Sequence, residues 1–261
     1  MRCSVYNRLA RMRSTRPSPV LIILLAASLL APGPAGAQEL DQLVARNLAA
    51  KGGVEALKGT TTVQMRGSVR LHQPAPGVEP IVIQMTVSAR RPNLVRRDMS
   101  FQGETRSVVF DGQTAWQITP QGASELRGPQ ADAVRAEGEF DSILLTWREQ
   151  GHRLELAGDD TVDGRKVHRI RVIRKDGPVQ IYHLDAETAL ERKVVTETRD
   201  GTQTMTSEMF LSDYRTVGGR TVPFKARQVV NGQLVAEIDF AAVEYNLPLD
   251  EGLFRPKAGG R

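Results

Sequence analysis

The chain is poor in cysteine: Cys3 is the only one among its 261 residues. A single cysteine forms no internal disulfide framework and supplies no cysteine-rich metal site. If the N-terminal leader described below is removed, residues 38–261 also lack a thiol nucleophile and a cysteine that could carry an acyl chain. We therefore expect a soluble exported protein rather than a lipoprotein.

Net charge is also missing from most of the chain. The formal charge of +5 is accounted for by the five arginines of residues 1–37, a stretch without Asp or Glu. Residues 38–261 therefore carry equal numbers of basic and acidic side chains. Binding to nucleic acid usually requires a clustered excess of positive charge, so we expect no nucleic-acid partner.

The main apolar run, VLIILLAASLLA over residues 20–31, is shorter than the roughly 20 residues that a membrane-spanning helix needs. A basic stretch precedes it, and the small-residue sequence PGPAGA follows. This order, with an A-x-A site ending at Ala37, is typical of a cleaved secretory signal peptide. We predict a signal peptide over residues 1–37, one mature domain over residues 38–261 and a periplasmic location. A retained membrane anchor is the alternative.

The sequence motifs of common enzymes are absent. There is no G-x-S-x-G motif and no glycine-rich phosphate loop. The histidines have no metal-ligand spacing; they are His72, His152, His168 and His183. We expect no catalytic residue, no metal and no cofactor. Because catalytic groups can meet in space without a sequence motif, a secreted hydrolase with an unrecognised site remains an alternative.

What the chain does contain is a long series of segments in which apolar and polar residues alternate. Such segments predict antiparallel strands that are buried on one face. Pairs such as Asp111-Gly112 and Asn231-Gly232 separate most of them and favour tight hairpin turns. We predict about 11 or 12 strands, near residues 62–72, 81–91, 94–101, 104–110, 114–118, 152–162, 165–174, 178–185, 189–199, 202–214, 220–230 and 233–245. A sheet of this size must curl or close.

Two regions have helical periodicity instead. Apolar residues between Leu40 and Leu48 recur at helical spacing, and Gly52-Gly53 ends the pattern. Residues 129–150 form a second helical region, which begins at Pro129. Four residues of this region form an apolar stripe: Phe140, Ile143, Leu144 and Trp147. We predict that this stripe lies over the open side of the sheet, either as a lid or as ordinary core cover.

Three motifs give the chain a family resemblance: ARRPNL (89–94), FDGQTAWQITP (110–120) and YNLPLDEGLFRPK (245–257). Their order and spacing resemble those of the LolA-type periplasmic carriers of outer-membrane lipoproteins. The resemblance implies a half-open antiparallel β-barrel around an apolar cavity, with helices as a lid, a mainly β fold with some α-helix (α+β). The segments NLAAKGGVEALKG (47–59) and YHLDAETALERKVV (182–195) look more like the broader outer-membrane lipoprotein-sorting relatives, which leaves the cargo open.

A cluster of arginines lies in SARRPNLVRRDMSF, residues 88–101. The alternation that places Ile83 and Met85 inward also places Arg91 on the inner face. An inward arginine at an apolar rim needs hydrogen-bond acceptors, which lid carbonyls would supply. The family resemblance assigns Arg91 the role of holding the closed lid, whereas a surface ion pair is the alternative. We expect the other three arginines, Arg90, Arg96 and Arg97, to form a solvated face.

The same alternation selects an apolar lining for the cavity: Val63, Met65, Val69, Ile83, Met85, Val87, Met99 and Trp116. Methionine adapts to irregular apolar shapes and suits a site for flexible acyl chains, although each of these residues could equally belong to an ordinary core.

We predict a monomeric, non-enzymatic carrier that binds acyl chains of lipoproteins or lipids between an inner-membrane donor and an outer-membrane acceptor. The alternatives are a lipid- or lipoprotein-sensing regulator of an envelope-stress pathway on the same fold, and a structural envelope protein whose cavity is filled by side chains.

Overall fold

The structure is a computed structural model, and it describes residues 35–73, 77–175, 179–200 and 203–256. The predicted signal peptide lies outside these residues except for its last three, which form the start of the first helix. None of the helices in the described ranges is long and apolar enough to cross a membrane.

A single antiparallel sheet of 13 strands dominates the described part of the chain. Its strands are β1 Thr62–Leu71, β2 Ile81–Arg90, β3 Leu94–Phe101, β4 Glu104–Phe110, β5 Ala115–Thr119, β6 Gly122–Glu125, β7 Arg153–Val162, β8 Arg165–Ile173, β9 Val179–Asp185, β10 Glu191–Asp200, β11 Gln203–Val217, β12 Arg220–Val230 and β13 Gln233–Tyr245. The prediction of a long, curled antiparallel sheet is confirmed, and twelve of the strands match predicted segments. Strand β6 was missed because its sequence GASE has no apolar alternation.

The order of the strands leaves one opening in the sheet. Neighbouring strands follow the order β6-β5-β4-β3-β2-β1-β13-β12-β11-β10-β9-β8-β7. Strand β1 pairs with β13, so the first and last strands meet in the middle. The two edge strands, β6 and β7, are consecutive in the sequence. The residues between them, 126–152, therefore run from one edge of the sheet to the other, and we call them the bridging segment.

Four α-helices and one short 3-10 helix accompany the sheet: α1 Ala35–Ala50, α2 Val54–Lys58, α3 Pro129–Glu137, α4 Ile143–Thr146 and the 3-10 helix Glu251–Phe254. Gly52 and Gly53 follow the end of α1, and both have positive φ. A side chain on Gly52 would also clash, because its Cβ would lie 2.3 Å from the carbonyl oxygen of Gly219. The predicted helix from Phe140 to Gln150 is reduced to the single turn α4.

The apolar core of the described residues consists of three clusters. In the first, α1 and α4 pack on β7, β8 and β9. In the second, α3 packs on β3, β4 and β5. The third contains only strand residues, centred on Val69, Met85 and Ala236 of β1, β2 and β13. The helices therefore cover the two ends of the sheet, and the apolar side chains of its middle pack against one another.

Candidate functional site

Most of the predicted lining residues share one face of the sheet. Residues directly opposite each other on neighbouring strands point to the same side, and Met65 lies opposite Val87 while Met85 lies opposite Met99. The same pairing places Val63, Val69 and Ile83 on this face. Because the helix-covered clusters contain residues of the same face, we call it the inner face.

Trp116 is the exception, and its placement among the lining residues was wrong. It lies opposite Val109 on β4, and Val109 lies opposite Arg96 on β3, which places all three on the outer face. Its indole Nε1 donates a hydrogen bond to Oδ2 of Asp111 at 3.0 Å. The small side chain of Ala115 occupies the neighbouring inner position instead, opposite Phe110.

All five methionines beyond the leader lie on the inner face by strand register: Met65, Met85, Met99, Met205 and Met209. Their burial differs widely. Met85 is 5% exposed within the third apolar cluster, whereas Met205 is 48% exposed. The inner face therefore carries adaptable apolar side chains from its packed centre to its open rim.

A pocket of about 420 Å³ opens on the inner face of β2–β5. Two of the predicted lining residues, Ile83 and Met99, contribute to its wall. Val69 and Met85 are instead packed in the third cluster, while Val63 and Val87 adjoin the cluster under α3. The lining predicted as one set is thus divided between a pocket wall and packed core.

Arg91 lies where the end of β2 meets the bridging segment. Its Nε donates to the carbonyl of Thr60 at 2.9 Å, and its Nη2 donates to the carbonyl of Leu57 in α2 at 3.2 Å. Both terminal nitrogens also bind Asp141, with Nη2 2.8 Å from Oδ1 and Nη1 bonded to Oδ2. The guanidinium carbon is 4.8 Å from the ring centre of Phe140. Arg91 thus contacts the bridging segment through the carboxylate of Asp141 and the ring of Phe140, whereas backbone carbonyls were expected there.

This ion pair has the geometry of a strong contact. Two parallel N–H···O bonds between a guanidinium and a carboxylate are stronger and more directional than a single one. The side chains of Arg91 and Asp141 are 29% and 20% exposed, so water screens them only in part. The Arg91 contact therefore fixes the position of the connection between α3 and α4.

A second arginine holds the same connection from the other half of the sheet. Arg174 follows β8, and its Nη1 donates to Oε2 of Glu139 at 2.8 Å while Nη2 binds Oε1. The side chain of Arg174 is 12% exposed. Glu139 and Asp141 lie on either side of Phe140, so two carboxylates in three residues are bound by arginines from opposite sides of the opening. No pattern in the sequence predicted this second pair.

The prediction of a solvated face for the other arginines of the cluster was wrong. Arg97 lies on the inner face opposite Val87, and its Nη2 donates to Oε1 of Glu137 in α3 at 3.1 Å. Desolvation raises the pKa of Glu137, and the charge of Arg97 opposes this shift. The outer arginines bind the C-terminal segment: Arg90 donates to the carbonyl of Leu249 and Arg96 to that of Leu253.

Helix α1 is attached to the sheet by polar contacts of its own. Nδ2 of the fully buried Asn47 donates to the carbonyl of Ala189 at 2.8 Å. Beyond the C-terminal end of α1, Nζ of Lys51 is 2.7 Å from Oε1 of Glu191, whose side chain is 4% exposed. These contacts join α1 to β10 and to the turn before it. An exposed ion pair also links Asp41 of α1 to Arg148 of the bridging segment.

The four residues of the predicted lid stripe separate into two groups. Phe140 adjoins the cluster under α3, and Ile143 and Leu144 are buried in the cluster with α1. Trp147 is partly buried beside that second cluster. The bridging segment is therefore packed at both ends, and its polar centre is held by the two arginines.

No group of three or more His, Cys, Asp or Glu within the described ranges is arranged to hold a metal ion. No family model and no curated protein matches the sequence.

Solved structures do match the fold. A DUF1329 family protein from Desulfovibrio piger aligns with a TM-score of 0.61 at 11% identity, covering 84% of this chain and 97% of that chain. A LolA superfamily protein from Nitrosomonas europaea aligns with a TM-score of 0.59 at 11% identity, covering 83% and 97%. An outer membrane lipoprotein-sorting protein domain from Vibrio parahaemolyticus gives 0.56 at 14% identity, covering 83% and 94%. The chain therefore has a LolA-like fold, a half-open antiparallel β-barrel with helices over its opening.

Proposed function

We propose that this chain, which has a LolA-like fold, is an exported periplasmic carrier that binds the acyl chains of lipids or lipoproteins on its inner face. The observation that carries the proposal is the third apolar cluster, which is built from strand residues without any helix residue. Two partly buried members of this cluster, Ile83 and Met99, also line the open pocket and so remain accessible to a further apolar partner. An acyl chain is such a partner, and the methionines of this face adapt to its shape.

In this mechanism the bridging segment moves and α1 stays in place. An entering chain separates the connection between α3 and α4 from the sheet and so breaks the contacts of Arg91 and Arg174. Each hydrogen bond to a charged group contributes about 1.5–3 kcal/mol. Burial of a chain contributes about 0.8 kcal/mol per methylene. The four such bonds from Arg91 and Arg174 to the bridging segment and the burial of about 12 methylenes each amount to roughly 10 kcal/mol. Loading is therefore reversible and cargo can be handed on.

Two of the solved structures that share this fold support the proposal. One of them is described as an outer membrane lipoprotein-sorting domain and another as a LolA superfamily protein. A carrier of this kind takes cargo from a donor at one membrane and delivers it to an acceptor at another. We propose no catalytic step, because mass action between the closed state and the loaded state is sufficient for transfer.

The test is to purify the protein without detergent and identify any bound lipid by native mass spectrometry, followed by titration with a fluorescent fatty acid. We expect bound acyl species that the probe displaces at micromolar concentration. A protein that carries no lipid and binds no probe would refute the carrier function and leave the fold unaffected. Binding of the probe to the outer face, shown by unchanged affinity after Met99→Asp, would also refute the proposed site.

A further inference from the structure

The pocket on β2–β5 combines an apolar wall with positive charge. Its lining residues are Ile83, Arg97, Met99, Phe101, Glu104, Arg106, Ser107, Val108 and Gln117. Arg106 lies directly opposite Met99, and Arg97 lies directly opposite Val108. The two arginines are therefore diagonal neighbours on one face of the β3–β4 hairpin, with Cα atoms about 7–8 Å apart.

The apolar part of the pocket is open to a ligand. Phe101 is 42% exposed and presents a large apolar surface at the mouth of the pocket. Ile83 and Met99 continue the apolar surface from Phe101 into the third apolar cluster. This apolar wall suits a hydrocarbon chain, and a volume of about 420 Å³ lies within the range of about 300–1,000 Å³ for small-molecule sites.

The positive charge at the pocket is incompletely neutralised. Among the residues that the structure describes, Arg106 has no hydrogen-bond or ion-pair partner. Arg97 binds Glu137 through Nη2, but its buried Nε has no acceptor in the described part of the chain. A buried N–H group without an acceptor is costly. Glu104 is the only carboxylate that lines the pocket, and among the described contacts it pairs with neither arginine. With Arg97 paired to Glu137, Arg106 is the lining cation that has no direct counterion among the described residues.

We infer that this pocket binds a single-chain amphiphile with an anionic head, a carboxylate or a phosphate, with the head between Arg106 and Arg97 and the chain along Ile83, Met99 and Phe101. Guanidinium groups bind such heads through paired hydrogen bonds. The inference deepens the proposed carrier function and rests on it: it adds that the cargo is selected by the charge of its head. Gln117 contributes an amide that can bind the uncharged polar part beside the head.

The experiment compares three ligands that share one chain and differ in the head: dodecyl phosphate, dodecyl maltoside and dodecyltrimethylammonium, each below its micelle concentration. Displacement of a fluorescent fatty acid from the purified protein reports the affinity for each. We expect dodecyl phosphate to bind roughly 10-fold more tightly than dodecyl maltoside, the factor that corresponds to about 1.4 kcal/mol. Dodecyltrimethylammonium should bind more weakly than both. Inorganic phosphate alone should not displace the probe at the concentrations used.

Variants assign the preference to the pocket. Arg106→Gln should remove most of the roughly 10-fold preference while changing the affinity for dodecyl maltoside less than about twofold. Glu104→Gln should strengthen binding of dodecyl phosphate about two- to threefold by removing the negative charge. The matched control is Arg127→Gln, which removes an equal charge from a side chain that is 82% exposed and does not line the pocket. It should leave all three affinities unchanged.

The outcomes separate this inference from the carrier function. If all three dodecyl ligands bind equally and Arg106→Gln has no effect, the head selection is wrong while the carrier function stands. If none of them binds and no fatty acid binds, the carrier function itself fails. Displacement by inorganic phosphate alone would mean that the arginines form a simple anion site, which overturns the amphiphile assignment. Equal losses in Arg106→Gln and Arg127→Gln would show general charge attraction and overturn the pocket assignment as well.

Discussion

The carboxylate of Asp141 binds both terminal nitrogens of Arg91, so that one side chain at the end of β2 fixes the connection between α3 and α4. The arginine also donates to the backbone carbonyls of Thr60 and Leu57, which lie shortly before β1 in the chain. These bonds orient the guanidinium towards the carboxylate. Nε binds the carbonyl of Thr60 and makes no bond to Asp141. The arginine can therefore release Asp141 and stay attached to the residues next to the sheet.

Replacing Arg91 by leucine should favour the loaded state of the carrier. Without the ion pair, closure no longer competes with cargo, and a loss of about 1.5–3 kcal/mol corresponds to a roughly 10-fold or larger gain in acyl-ligand retention. The measurement is the transfer rate of a fluorescent fatty acid from the protein to acceptor vesicles, which should fall accordingly. Arg66→Leu is the control, since Arg66 is half exposed and pairs with Glu244 on the outer face. Wild-type transfer rates in Arg91→Leu would contradict the role of Arg91.

The two carboxylates of the bridging segment should act together. Glu139→Gln and Asp141→Asn each free one side of the connection, whereas the double variant frees both. We expect hydrogen exchange of residues 138–142, the connection between α3 and α4, to accelerate in each variant and most in the double variant, with α1 unchanged. Acceleration that spreads equally to α1 would indicate global destabilisation and argue against a bridging segment that opens by itself.

Loss of the contact between α1 and the sheet should affect stability rather than binding. Lys51→Ala leaves the carboxylate of Glu191 buried without its partner, which should lower the free energy of unfolding by about 3–5 kcal/mol. Lys58→Ala breaks an exposed pair with Glu149, whose side chain is 63% exposed, and should cost less than about 1 kcal/mol. Urea unfolding of the two variants measures the difference. Equal losses would mean that the Lys51 pair is effectively solvated.

The raised pKa of Glu137 predicts a pH dependence of stability. The folded protein holds this proton more tightly than the unfolded chain, whose carboxyl titrates near the ordinary value of 4.5. Stability from this group is therefore fully present below that pH and declines as pH rises through the folded pKa. Glu137→Gln should remove this decline, which melting temperatures measured from pH 4 upward will show. An unchanged pH profile in Glu137→Gln would contradict the raised pKa.

Period-two alternation was sufficient to predict most of the sheet, because one face of each strand is buried and the pattern is preserved residue by residue. It failed where burial does not follow the alternation. Strand β6 is exposed along its whole length and has no pattern to detect. Trp116 is large and apolar, but it lies on the outer face and bonds to Asp111, a contact that composition alone does not reveal.

The candidate site was predictable only in part. The alternation on β2 placed Arg91 at the right end of the right strand. Its partner Asp141 is 50 residues away in sequence, and the Arg174–Glu139 pair spans 35 residues. Ion pairs of this kind depend on how the bridging segment crosses the opening, and local patterns carry no information about that path. Arg106, which has no partner among the described residues, could be recognised as part of a pocket only once its cross-strand neighbours were known.

The break in the sheet falls between two strands that are consecutive in the chain, β6 and β7, while every other neighbouring pair is joined by backbone hydrogen bonds. Widening the gap between these strands breaks no hydrogen bond between strands of the sheet. The bridging segment is the part of the chain that connects them directly. We therefore expect the width of this gap to depend on the side-chain contacts of the bridging segment. A barrel of this kind can accept ligands of different sizes without breaking the hydrogen bonds between its strands.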